Sequence, residues 1–189
     1  MIRWWPSIGL AAMLLLGWAV GDSSTPVDKW FQQFNTSPLR WLAVFADPRL
    51  LVGTLVAVAV VALWQRRWRL AAMVVVAPAV GLVFVRVLKQ IFYRQKGDGG
   101  LAYPSGHITT TTIVMGLVIM VAGAAWWAVA IAVGAVALAM LGVGTTYHYF
   151  TDVVGGLLLG SALVCAAAVI ARRDLTRVNP RAIYVTRRG

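Results

Sequence analysis

Long apolar runs broken by short polar stretches organise this chain. They cover Trp5–Val20, Leu50–Trp64, Leu70–Leu88, Ile108–Ala124, Trp127–Val143 and Phe150–Ala171. A helix of about 20 apolar residues crosses the hydrocarbon core of a bilayer. Helices also satisfy their own backbone groups where no water is present. The pattern therefore predicts an all-α, polytopic membrane protein with six transmembrane helices in one bundle, a single domain over residues 1–189. The second run is short and needs Arg49 and Arg66 to snorkel. The fourth and fifth runs are divided only by Gly123 and the Trp126–Trp127 pair, but residues 108–143 are too long for one span. The first run, with Arg3 before it, has the outline of a signal peptide. Gly21-Asp22-Ser23-Ser24 is a poor cleavage site, however, and five more runs follow, so a retained first helix is expected.

The polar stretches differ in charge. Arg3, the turn Gln65–Arg69 and the tail from Arg172 carry ten of the 17 basic residues. With six spans these segments share one face, while Asp22, Asp28, Asp47, Asp98 and Asp152 share the other. Positive loops stay in the cytoplasm, which predicts a multi-pass protein of a bacterial inner membrane with both termini cytoplasmic. The segments 89–106 and 144–148 then face the periplasmic or extracellular side. The loop Gly21–Asp47, with its Trp, Phe and Gln around two prolines, is expected to form a short amphipathic helix along the outer headgroups. The basic tail, residues 172–189, reads as a mobile topology anchor with some affinity for anionic lipid.

Composition sharpens this picture in three places. The chain is 60% hydrophobic and 12% charged, against about 25% charged in ordinary globular domains. A net charge of +11 would suit nucleic acid, but the arginines flank apolar runs, so no nucleic-acid partner is expected. The single cysteine, Cys165, lies inside the last run and excludes an intrachain disulfide or a zinc cluster.

The candidate chemistry lies on the predicted outer face. The chain has two histidines, His107 and His148. Pro104-Ser105-Gly106 turns into a helix, a geometry that offers backbone N–H groups to an anion. His148 precedes Asp152 by four residues, which puts imidazole and carboxylate on one helical face. Lys89, Arg94 and Lys96 add cations, and Arg86, within the third run, is costly there unless it meets a partner or a ligand. Phosphoryl transfer needs cations and N–H donors, a nucleophile and an acid for the leaving group. No carboxylate cluster is present for magnesium or calcium, so the expected chemistry uses no metal and no cofactor. The Thr109–Thr112 run and Gly155, Gly156 and Gly160 read as helix-packing positions, and Tyr103 and Tyr147 as interface-belt aromatics.

These residues resemble the type 2 phosphatidic acid phosphatase superfamily of membrane lipid phosphatases. Pro104-Ser105-Gly106-His107 matches its second motif, and His148 with Asp152 matches the end of its third. The resemblance covers Lys89 to Asp152, and the six-span plan extends it. It implies that His148 is the nucleophile, forming a phosphohistidine, that Asp152 orients its ring and that His107 protonates the leaving group. It further implies that Lys89, Ser105 and Gly106 hold the phosphoryl oxygens. Two departures stand out. Lys96-Gly97 replaces the Arg-Pro that ends the first motif, and Leu141-Gly142 replaces the Ser-Arg of the third, with Arg94 and Arg86 as candidates to supply the missing guanidinium. The expected activity is metal-independent hydrolysis of a lipid phosphate or diphosphate. Candidate substrates are a polyprenyl diphosphate, a prenyl-linked sugar phosphate, phosphatidic acid or phosphatidylglycerol phosphate. The alternatives are a non-hydrolytic lipid-phosphate binder or transporter, or a structural subunit of an envelope-synthesis complex. Membrane lipids are the expected partners, and a homo-oligomer is left open.

Overall fold

The structure is a computed structural model, and it describes residues 3–96 and 99–178, with side chains described as far as Ile170. Its helices run in the order α1 (Trp5–Val20), α2 (Pro26–Gln32), a 3₁₀ segment (Pro38–Ala46), α3 (Pro48–Trp64), α4 (Trp68–Phe92), α5 (Gly106–Val121), α6 (Trp126–Thr146) and α7 (Phe150–Val178). Among the described residues there is no strand, only an isolated bridge between Gln95 and Leu101. Pro38–Trp64, Trp68–Phe92, Trp126–Thr146 and Phe150–Ile170 are long and apolar enough to cross a membrane. Helices α1 and α5 are apolar but shorter.

Local chemistry explains where the helices begin and end. Asp47 caps α3, its Oδ1 accepting from the N–H groups of Arg49 at 2.8 Å and Leu50 at 3.4 Å, with Pro48 in the first turn. Tyr93, in the left-handed region, ends α4. The uncharged break between the fourth and fifth runs is real: Gly123 and Ala124 both take positive φ, and α6 starts at Trp126. Helix α4 contains Pro78, which leaves the carbonyl of Val74 without its usual intrahelical donor.

Helices α5 and α7 form the centre of the bundle. Ile108, Ile113, Val114 and Leu117 of α5 and Val153 and Leu159 of α7 are all buried. The two helices can approach closely because a Cβ at Gly156 would lie 2.6 Å from the Ser105 carbonyl oxygen, and one at Gly160 would lie 2.9 Å from that of Thr109. The Thr109 hydroxyl crosses the same gap to the Gly156 carbonyl at 3.3 Å. By contrast the outward faces carry exposed valines and isoleucines, such as Val56 and Val60 of α3, Val75 and Val83 of α4, and Ile131 and Val133 of α6. Apolar surface on the outside and small, tightly packed residues inside is the pattern of a bundle dissolved in lipid.

Three expectations change. Helix α7 runs through Arg172 and Arg173 to Val178, so the basic tail begins as helix; residues 179–189 lie outside the described set. Tyr103 is fully buried and donates its hydroxyl to the Met13 carbonyl, so it is not a belt aromatic. The loop Gly21–Asp47 does more than lie along headgroups. Its 3₁₀ segment packs along α6, and α2 sits on α6 and α7 with Phe31 stacked on Phe150 at 3.9 Å. The loop caps one end of the bundle.

Candidate active site

That capped end gathers the C-terminal end of α4, the N-terminus of α5, the C-terminus of α6 and the start of α7. His107 lies in the first turn of α5, where the leading N–H groups have no intrahelical acceptor. His148 occupies the link between α6 and α7, its N–H bonded to the Val143 carbonyl at 3.1 Å. The two imidazoles, far apart in sequence, come within 5.8 Å between ring centroids. Tyr147 stacks on His107, also at 5.8 Å.

Both histidines line one cleft of about 500 Å³. Its length is apolar, walled by Leu51, Val52 and Leu55 of α3 and Pro78 and Leu82 of α4. Its end is polar, with Lys89, Lys96, Gly106, His107, Thr110 and His148. Two smaller hollows meet this end. One of about 280 Å³ shares Lys96 and His148 and is lined by Gln32, Asn35 and Thr146. The other, of about 290 Å³, shares His107 and is lined by Arg40, Asp47 and Tyr147. The Lys89 ammonium is held at the head of the cleft by the Leu101 carbonyl at 2.6 Å. A lysine pair, two imidazoles and a helix N-terminus at the mouth of an apolar slot suit an anionic head on an apolar tail.

Ser105 stands behind this surface. Its N–H donates to the Asp152 carbonyl at 2.9 Å, which ties the start of α5 to the start of α7, and its Oγ is buried with no partner.

Asp152 and His148 are close but not bonded. His148 Nδ1 is 3.8 Å from Asp152 Oδ2, beyond hydrogen-bond length, and has no other partner. Burial pushes the His148 imidazole below the ordinary histidine range, against the pull of Asp152 and helped by the charges of Lys96 and Lys89. The ring is therefore neutral at pH 7, the state a nucleophile needs.

Neither arginine proposed as a phosphate ligand is among the residues lining the cleft. Arg86 is exposed on α4. Arg94 is buried, and its guanidinium is committed to protein groups. Nη1 donates to Asp152 Oδ1 and Thr151 Oγ1, both at 2.7 Å, and Nη2 donates to Asp28 Oδ2 at 3.0 Å and the Ser23 carbonyl at 2.8 Å. Arg94 is an internal tie because two buried carboxylates need its charge. Position 142, where the resembled family carries arginine, has no room for any side chain. A Cβ there would lie 2.0 Å from the Ala43 backbone nitrogen. The 3₁₀ segment occupies that space.

Sequence reading passed over Asp28. It is fully buried, and both its oxygens accept hydrogen bonds from Thr151. Burial works against its ionisation, but hydrogen bonds from Thr151 and Thr25 offset that and hold the carboxyl below its ordinary value. The capping pattern Thr25-Pro26-Val27-Asp28 was legible as a helix start, yet nothing local announces a partner more than sixty residues away. Arg40, Gln32 and Asn35 likewise reach the site only through the fold of the capping loop. Among the described residues, no group of three or more His, Cys, Asp or Glu side chains could hold a metal ion. Compared with protein-family models, curated proteins and solved structures, the chain matches none.

Proposed function

We propose that this protein is an integral membrane hydrolase that removes a phosphate from a lipid phosphomonoester or diphosphate. The observation that carries the proposal is the meeting of His107 and His148, 5.8 Å apart, at the polar end of an apolar cleft that also presents Lys89 and Lys96. The resemblance of Pro104-Ser105-Gly106-His107 and of the His148/Asp152 spacing to lipid phosphatase motifs supports it. The six apolar helices act as six spans, with the site on the non-cytoplasmic side of a bacterial inner membrane and both termini in the cytoplasm. The distribution of arginines supports that orientation.

The tail of the substrate lies along Leu51, Leu55 and Leu82, and its phosphate rests between the lysines and the first turn of α5. The neutral His148 attacks phosphorus through Nε2, the nitrogen turned away from Asp152. The bond from phosphorus to the lipid-side oxygen breaks as the bond to nitrogen forms, and His107 protonates that oxygen from its imidazolium form. Burial, His148 and the two lysines disfavour that form, and the negative charge of the substrate phosphate favours it. Asp152 supports the Nδ1 proton and the charge the ring acquires. A water molecule, losing a proton to His107, then displaces His148 and frees inorganic phosphate. Polyprenyl diphosphates, prenyl-linked sugar phosphates, phosphatidic acid and phosphatidylglycerol phosphate all satisfy this arrangement.

One observation favours a second reading, a lipid-phosphate binder or transporter without hydrolysis. Arg94 is engaged by carboxylates and Arg86 is not among the cleft-lining residues, so lysines rather than a guanidinium fork supply the cations that line the main cleft. Phosphate release from that lipid panel, measured with detergent-purified protein and no added metal, separates the two. Hydrolysis predicts release that falls by about three orders of magnitude in His148→Ala. Retained lipid binding with no release from the wild type favours the second reading.

A further inference from the structure

We infer that Asp28, contributed by α2 from outside the motif-bearing segment, is a positioning residue for His148. By engaging one side of the Arg94 guanidinium it keeps an oxygen of Asp152 turned toward the imidazole. The inference concerns the state of His148 and does not depend on hydrolysis.

One guanidinium here serves two carboxylates, and all three groups are buried: Arg94 is 1% exposed, and Asp28 and Asp152 are 0% exposed. With both acids ionised the cluster carries one net negative charge. Arg94 Nη1 reaches Asp152 Oδ1 at 2.7 Å, while Nη2 is taken by Asp28 Oδ2 at 3.0 Å. Asp28 is held in place by the Thr151 N–H at 2.9 Å, by the Thr25 N–H and hydroxyl, both at 2.9 Å, and by the Thr151 hydroxyl. Among the described residues, Asp152 Oδ2 accepts only from the Tyr149 N–H, at 3.2 Å, and it faces His148 Nδ1 at 3.8 Å. A guanidinium prefers to grip a carboxylate with both of its arms. Without Asp28, Arg94 would close on both oxygens of Asp152, neutralise it and draw it away from the ring. Asp28 prevents this by occupying the second arm.

The remaining groups around His148 act in the opposite sense or are neutral. Lys96 and Lys89 line the same cleft, His107 of α5 lies 5.8 Å away, and Tyr147 and Tyr149 flank it in the chain. Arg94 stacks over the Tyr149 ring at 4.7 Å, with its charge already divided between the carboxylates. The Asp28–Arg94–Asp152 cluster is thus the one source of negative charge facing this imidazole among the described residues.

The test uses the full-length protein in detergent, labelled at its histidines, with the titration of each imidazole followed by NMR. Two histidines give two resonances, and His107→Gln identifies which belongs to His148. Asp28→Asn should move the His148 midpoint to lower pH, by about half a unit or more, because it removes one negative charge and frees Arg94 to neutralise the other. The double variant Asp28→Asn with Arg94→Gln should return the midpoint to the wild-type value or above, since Asp152 then keeps its full charge. Should Asp28→Asn fail to fold, Asp28→Ser removes the same charge with a smaller polar side chain and should move the midpoint in the same direction. An unmoved midpoint in Asp28→Asn, or a midpoint below wild type in the double variant, overturns the inference and makes Asp28 only an anchor for α2. If phosphate is released, the acid limb of its pH profile should move with the His148 midpoint. Absence of release in the wild type counts against the proposed hydrolysis and leaves this inference standing.

Discussion

Arg94 and Lys96 stand two residues apart and have opposite fates. Both are basic residues in the short connection after α4, and sequence alone gave them equal weight as phosphate ligands. Lys96 lines the cleft beside both histidines. Arg94 turns inward because Asp28 and Asp152 are buried there, and an unpaired buried carboxylate is far costlier than an exposed one. The guanidinium satisfies both acids at once, which the single ammonium of lysine does less well. Replacing Arg94 by alanine should therefore destabilise the protein by about 3–5 kcal/mol, the range for breaking a buried charged pair. Thermal unfolding in detergent measures this. Unchanged stability would mean the two acids are not held by Arg94. Had Arg94 been a phosphate ligand, the same substitution would leave stability intact and weaken only binding.

At the scale of elements, the stretch between α1 and α3 decides the shape of the site. Its parts were readable as parts. Pro26 after Thr25, with Asp28 completing a capping box, announces α2, and Pro48 after Asp47 announces α3. Where the stretch lies was not readable, because amphipathic segments of this kind suit a headgroup layer equally well. The 3₁₀ segment instead packs on α6, and Gly142 allows it to do so. Alanine at position 142 should cost about 1–3 kcal/mol or displace the segment, since its Cβ would meet the backbone of Leu42 and Ala43. Trypsin cleavage after Arg40, on the exposed side of the same segment, should then accelerate relative to the wild type. Equal cleavage rates and equal melting would contradict this packing. Putting arginine at position 142, as in the resembled family, should be worse still rather than restorative.

Over the whole molecule, short turns join α3 to α4, α5 to α6 and α6 to α7, while longer stretches join α1 to α3 and α4 to α5. The turn between α3 and α4 meets the end of α5, where Arg67 donates to the Met120 carbonyl at 2.9 Å. Exposed tryptophans mark this end at Trp4, Trp64, Trp68 and Trp126, and the other end at Trp18, Trp30 and Trp41. Two belts of exposed indoles flanking apolar walls suit the two interfaces of a bilayer. The six-span reading puts Asn35 and Gln65 on opposite sides of it. In a Cys165→Ser background, Asn35→Cys should react with an impermeant maleimide only from the outside of cells or right-side-out vesicles. Gln65→Cys should react only from the inside. Labelling of both from one side would rule out the proposed orientation.

The sequence by itself determined the helices and named most of the residues that meet at the candidate site. Uninterrupted apolar runs admit few structures other than helices, and Pro104-Ser105-Gly106-His107 and His148 with Asp152 are local patterns whose spacing sets their geometry. Five helix starts and the break at Gly123 follow from prolines, caps and glycines within a few residues of each. Only the tertiary structure decided which cation serves which anion. It put Arg94 between Asp28 and Asp152, brought His107 to His148 and laid the 3₁₀ segment over Gly142. Those outcomes depend on contacts between residues tens of positions apart, whose energies turn on burial and distance, and neither quantity is set by the residues next to them in the chain.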